Sequence, residues 1–216
     1  VSPAVLPILG LSCNLIVSAQ GFAQFAHAGH LPWRRSLPFL VLSVPASYLG
    51  GLFVVRESTF LFLLAASLTA AGCLLLVPLR DRHRPTSGLA RHITALGSPL
   101  IGAGLGFVSG IVGIGGGIFL APILHLTRWA PAKQVAALAA GFILLNSAAG
   151  LVGQLQKHGW STEAVLNFWP LPLAVLVGGL LGARCGCSIL PAVRLRQITG
   201  FIILIVAGNL WTKVLP

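Results

Sequence analysis

Acidic side chains are nearly missing from this chain: Glu57, Asp81 and Glu163 are the three in 216 residues. That scarcity excludes catalysis by paired carboxylates and a calcium site, both of which need clustered carboxylate oxygens. Charge of either sign is low at 8%, against roughly 25% in soluble domains, so an ordinary soluble globular protein is excluded as well. Methionine is absent and tyrosine occurs once. There is no CxxC pair, GxSxG elbow, HExxH helix or GKS/T phosphate loop, which removes the usual signatures of metal, serine-hydrolase and nucleotide chemistry. No charged n-region precedes the first apolar run, so no cleavable signal peptide is expected.

What is present is hydrophobic: 56% apolar residues and a mean hydropathy of +0.94. A bilayer span needs about 20 apolar residues. Seven segments qualify, at about 4–26, 36–55, 59–79, 97–127, 133–156, 165–183 and 197–215. The chain therefore reads as an all-α polytopic protein of a plasma or inner membrane. The net charge of +11 sits in short clusters between apolar runs, where it sets orientation rather than binding nucleic acid. Four Trp (33, 129, 160 and 211) fall near segment ends, as an interfacial belt places them. Cys13 and Cys73 lie in apolar runs, and Cys185 with Cys187 forms CGC near a helix end, with no paired loop spacing among the four.

The most informative pattern is internal. An ungapped offset of 132 superposes Asn14 on Asn146, Gly21 on Gly153, Gln24 on Gln156, Pro38 on Pro170 and Gly50 on Gly182. Leu and Ala coincide by chance in apolar sequence, but matched Asn, Gln, Pro and Gly at one offset do not. Residues 1–79 thus read as a first repeat, 80–95 as a basic cytoplasmic linker, and 96–216 as a second repeat that includes a Gly-rich segment at 96–127. Such duplication is common in secondary transporters, whose site lies between repeats. The Gly-rich segment has no partner in the first copy. Two readings stand: an asymmetric chain with an unusual or processed start, or the loss of roughly 30–40 residues bearing a twin loop, on the duplicated pattern of such folds. The second accounts better for the repeat.

Gly113-Ile114-Gly115-Gly116-Gly117 falls at membrane depth, five residues before Pro122. Each Gly costs a helix about 1 kcal/mol relative to Ala, so the helix should break there. Broken backbone within a membrane belongs where it lines a cavity or is buried in protein. Its N–H groups and the following half-helix would make a partly positive anion cradle. By contrast, Gly102, Gly106 and Gly110 form a GxxxG ladder suited to close helix packing. The nominated substrate-binding set is Gly113, Gly115, Gly116, Gly117, Asn14, Asn146 and Ser109. For the two asparagines, ligand contact and interhelical hydrogen bonding both remain open. No metal ligand set or cofactor is called for.

GFVSGIVGIGGGIFLAPIL (106–124), the duplicated spans and the junction at 27–33 resemble the sulfite exporter TauE/SafE family of membrane permeases across essentially the whole chain. That resemblance implies two four-segment repeats, each opened by a glycine loop, and a small sulfur-containing anion such as sulfite or a sulfonate. The expected partners are that anion and the lipid bilayer, with no nucleic acid; a homo-oligomer is compatible with the sequence.

If 80–92 is cytoplasmic and segment 97–127 turns back on itself, eleven of the fourteen Lys and Arg face the cytoplasm; if it crosses, eight do. The positive-inside bias favours the re-entrant form and inverted repeats. No acidic residue lies within a span to couple transport to protons or sodium. An anion leaving a cell that is negative inside gains about 2.3 kcal/mol per 100 mV, enough for roughly 50-fold accumulation outside. Facilitated export by alternating access is the reading that requires least; an intramembrane enzyme and a non-transporting structural subunit are the alternatives.

Overall fold

The computed structural model describes residues 5–77, 97–127, 129–158, 170–188 and 192–214, so the basic linker at 80–95 lies outside the described residues. Within them the chain forms eight helices and no strand. They are α1 (Val5–His27), α2 (Trp33–Leu52), α3 (Glu57–Leu76), α4 (Ser98–Val112), α5 (Gly117–Leu126), α6 (Ala132–His158), α7 (Pro170–Ser188) and α8 (Ala192–Val214). Helix is the form these apolar runs must take in lipid, because it alone satisfies every backbone N–H and C=O within one segment. Val5–His27, Glu57–Leu76, Lys133–Lys157 and Gln197–Val214 are each long and apolar enough to cross a bilayer.

The fourth hydrophobic segment is two helices rather than one. Contacts fix their directions. Phe39, Ser43 and Ser47 of α2 meet Gly102, Gly106 and Gly110 of α4 in the same order, so these two helices run parallel. A Cβ on any of the three glycines would strike the facing carbonyl oxygen. The ladder is a packing device, as its small residues imply. From Gly117 the chain returns: Gly117 packs on Ala139 and Ile143, while Leu120 and Leu124 join Val135 and Leu138 in the buried cluster, so α5 is antiparallel to α6. Trp129, just past α5, stands edge-on to Phe39 at 5.7 Å. Phe39 therefore marks both the start of α4 and the end of α5, and the pair is a hairpin. At ~1.5 Å per residue, α4 is about 22 Å long, short of the ~30 Å hydrocarbon core.

The remaining directions follow in the same way. Leu11, Gly21 and Phe22 of α1 meet Gly150, Ala140 and Gly141 of α6, an antiparallel pair. Gly72 of α3 packs on Leu204 of α8, and Leu75 and Leu76 on Gly200; Trp211 donates to Thr69 Oγ1 at 3.0 Å, again antiparallel. Helix α2 runs parallel to α6, with Ser47 bonded to the Asn146 carbonyl and Tyr48 to Gln156. The core at the heart of α2, α4, α5 and α6 is Phe39, Leu40, Leu120, Leu124, Trp129, Val135, Leu138 and Phe142. Apolar side chains on the outer faces of α7 and α8, such as Val177, Phe201 and Ile205, are exposed and suit contact with lipid.

Candidate functional site

The site is built around the turn of the hairpin. Helix α4 ends on Gly113 at φ 81°, a left-handed cap whose N–H bonds Ser109 O at 2.8 Å. Gly115 and Gly116 also have positive φ, 80° and 69°, which for any other residue costs roughly 1–2 kcal/mol each. Gly117 opens α5 and donates to Gly115 O at 2.9 Å. The N–H groups of Gly113 and Gly117 are therefore committed. Among the described residues, those of Ile114, Gly115 and Gly116 donate no backbone hydrogen bond, and α5 begins directly behind them. The set of uncommitted N–H groups is narrower than the sequence implies, and it includes Ile114.

Two long helices wall the turn. Asn14 of α1 reaches it, its Nδ2 lying 3.4 Å from Gly113 O, a long contact. A Cβ on Gly115 would fall 3.0 Å from Ser147 Oγ and 3.2 Å from Asn14 Nδ2, so α1 and α6 both abut this residue. Gly116 lies the same way against Phe142 and the Cβ of Ser109. Ser147 is 15 residues into α6, roughly 22 Å from its start. The structure thus groups Gly115, Gly116, Asn14 and Ser109 of the nominated set. Gly113 and Gly117 bound the turn, one at the end of α4 and the other at the start of α5. Asn146 is buried beside Ser147, but its amide donates to Phe142 O at 2.9 Å rather than to Asn14 or the turn.

Hydroxyl bonding separates two serines from the rest. Ser18, Ser36, Ser43 and Ser67 are buried and each donates back to a carbonyl three or four residues earlier, while Ser47 donates to Asn146 O. This is what a hydroxyl on a membrane helix ordinarily does. Ser109 and Ser147, at 1% and 0% exposure, have no partner among the described residues. Buried polar atoms are nearly always bonded, so an exception asks for an explanation. Both of these serines touch the glycine turn.

Gln154, also fully buried, closes the far side. Its Nε2 donates to Gly110 O at 2.9 Å, next to Ile111 O, satisfying carbonyls that the helix break at Gly113 leaves without helical donors. Sequence reasoning did not nominate Ser147, Gln154 or the Ile114 N–H. Ser147 and Gln154 were visible as polar residues in an apolar run, but nothing in the sequence distinguishes an occupied hydroxyl from an unoccupied one. Segment 98–126 holds no Lys, Arg, Asp or Glu. The turn therefore offers neutral dipoles: three backbone N–H groups, two hydroxyls and a carboxamide.

Comparison with known proteins gives the chain's relatives. The family model described as Sulfite exporter TauE/SafE matches residues 1–210. A probable membrane transporter protein of Sinorhizobium fredii is 36% identical over 208 residues, covering 96% of this chain and 82% of the relative. A probable membrane transporter protein of Methanocaldococcus jannaschii is 28% identical over 179 residues, 78% of this chain and 63% of its own length. One from Xylella fastidiosa is 27% identical over 208 residues, covering 88% and 74%. No solved structure matches.

Proposed function

This chain belongs to the sulfite exporter TauE/SafE family, a multi-pass membrane transporter and not an enzyme, and from that premise we propose that it releases a small sulfur-containing oxyanion, sulfite or a close relative, from the cell. The observation that carries the reading is the glycine turn, where three undonated backbone N–H groups meet the unpartnered hydroxyls of Ser109 and Ser147. Helix N-termini and successive free N–H groups favour anions over cations. An anion there gains hydrogen bonds that the protein alone leaves unmade.

The route is alternating access between two inverted repeats, 1–79 and 96–216, joined by the basic linker 80–95. Three features support it. The 132-residue offset pairs α1 with α6 and α3 with α8, and both pairs pack antiparallel, as a two-fold axis in the membrane plane requires. Under the same exchange the α2–α6 contact has a counterpart in α1–α7, where Gly179 packs on Gln20 and Val17. The antiparallel register also sets Asn14–Leu15 opposite Asn146–Ser147, beside the turn, which is where an axis relating two inverted repeats would pass. A hairpin that returns to its starting level supports the re-entrant topology with eleven cytoplasmic cations. With no acidic residue in α1–α8 beyond Glu57 at the start of α3, the membrane potential is the driving force.

Purified protein in liposomes tests the reading. Labelled sulfite, a sulfonate and thiosulfate are loaded, and efflux is followed with and without an inside-negative potential. Protein-dependent, potential-accelerated efflux of at least one is the expected result. No such flux for any of them would overturn it.

A further inference from the structure

We propose that α8 is a self-association surface, through which the protein pairs with a second copy of itself along the seam Ile198, Ile202, Ile205, Asn209 and Thr212. Helix α8 has two opposite faces. One meets α3: Gly200 packs on Leu75 and Leu76, Leu204 on Gly72, and Trp211 on Phe62 and Thr69. The other points away from the molecule. Ile198, Ile202 and Ile205 are each more than half exposed, and Asn209 and Thr212 are exposed with them. At 3.6 residues per turn these five stay within an arc of about 80°, centred about 150° round the helix from the α3 contacts.

Two features separate this stripe from one that merely faces lipid. The first is its spacing, 4-3-4-3, which is the heptad period of helices that pack along a seam. The second is Asn209. Trp211 meets Phe62 and Thr69 on either side of the midpoint of Glu57–Leu76, so Asn209, two residues earlier, lies near the middle of that span. Roughly 15 Å of hydrocarbon then separates it from either interface, too far for so short a side chain to reach. Thr212 Oγ1 donates to the Asn209 backbone carbonyl at 2.8 Å, but the carboxamide itself makes no hydrogen bond among the described residues. An unpaired amide in hydrocarbon is costly, and a neighbouring helix is the usual remedy. The outer face of α7 differs. Residues 170–181 hold no polar side chain, so Leu173, Val177 and Leu181 need only lipid.

Complementarity identifies the occupant as a second copy. Basic loops orient every copy the same way, so two α8 helices meet in parallel about an axis along the membrane normal. In heptad terms Ile202 and Asn209 take the a positions, and Ile198, Ile205 and Thr212 the d positions. Position a faces its own equivalent in a parallel pair, which sets Asn209 against Asn209 of the partner subunit. A carboxamide complements itself: the partly negative oxygen of one accepts from the partly positive NH2 of the other. Lipid tails offer neither charge. A single polar residue at a, among isoleucines, also fixes the register of the pair.

The test uses the full chain in liposomes. In a Cys-free background, Ile198→Cys and Ile205→Cys should form disulfide-linked dimers under mild oxidation. Val177→Cys, exposed on α7, reports random collision and should form far fewer. Counting labelled molecules per liposome across a range of protein densities gives the dissociation constant of the pair. Asn209→Leu should weaken it about 5- to 30-fold, the effect of one interhelical polar bond. Asn209→Gln, which keeps the amide, should weaken it less. Neither change should lower the Tm of the monomer in detergent, because Asn209 supports nothing within its own chain. A monomer at every density would overturn the proposal, as would cross-linking at Ile205→Cys no greater than at Val177→Cys. Unchanged pairing in Asn209→Leu would overturn it too, and so would a lowered monomer Tm, which would mean that another part of the same chain covers the stripe.

Discussion

Replacing Ser147 by alanine separates a binding hydroxyl from a structural one, because the two roles move stability in opposite directions. A buried serine whose hydroxyl is bonded loses that bond on truncation and the protein becomes less stable. Ser147 Oγ is buried at 0% exposure with no partner, and an unsatisfied buried polar group costs about 1–3 kcal/mol. Removing it should leave the unliganded protein as stable or more so, at roughly 2–4 °C in Tm per kcal/mol for a chain of this size. Affinity should go the other way. Losing one hydrogen bond to an anion costs about 1.5–3 kcal/mol, or ~10- to 150-fold in apparent KM. Ser47→Ala is the matched comparison, since it deletes the 2.8 Å bond that ties α2 to Asn146 O. It should lower Tm modestly, by an amount near the ~0.6 kcal/mol average for such bonds in membrane proteins, with little change in KM. Thermal melts and flux on the same preparations decide the matter. A lower Tm with unchanged KM for Ser147→Ala would refute the reasoning, because the hydroxyl would then be holding the fold. The glycines are poorer probes: side chains at 115 and 116 would be strained at positive φ and would crowd Ile143 and Phe142, so folding would suffer along with transport.

Gly106→Val should lower Tm sharply or prevent folding, since a side chain there strikes the Ser43 carbonyl and overpacking costs about 1–3 kcal/mol or more; melting in detergent checks it. Gln154→Leu removes the donor to Gly110 O and should destabilise by about 1–3 kcal/mol, with faster proteolysis near the turn as the local readout. For topology, single cysteines at Thr86 and Ala130 in a Cys-free background should both react with an impermeant maleimide only after the membrane is opened. Reaction of the second from outside would mean that the Gly-rich segment crosses fully.

The sequence alone determined the class of molecule. Transfer of an apolar side chain into lipid is a property of each residue, so long runs with three acids in 216 positions could only be a polytopic helical protein. The break at 113–117 was equally local, because glycine's lack of a Cβ acts wherever it stands. The GxxxG ladder was legible for the same reason, and the structure seats it against α2 as small residues require. Tertiary structure decided three things. It turned segment 97–127 into a hairpin, which follows from Gly102 and Trp129 meeting the same Phe39 and from nothing in either residue's neighbours in sequence. It sent the Asn14 amide to the turn and the Asn146 amide to Phe142, although the 132-residue offset superposes the two. It also distinguished Ser109 and Ser147 from the other buried serines. A hydroxyl's use depends on whether a nearby carbonyl is free to take it, and that is settled by packing at ångström scale rather than by residue type or spacing.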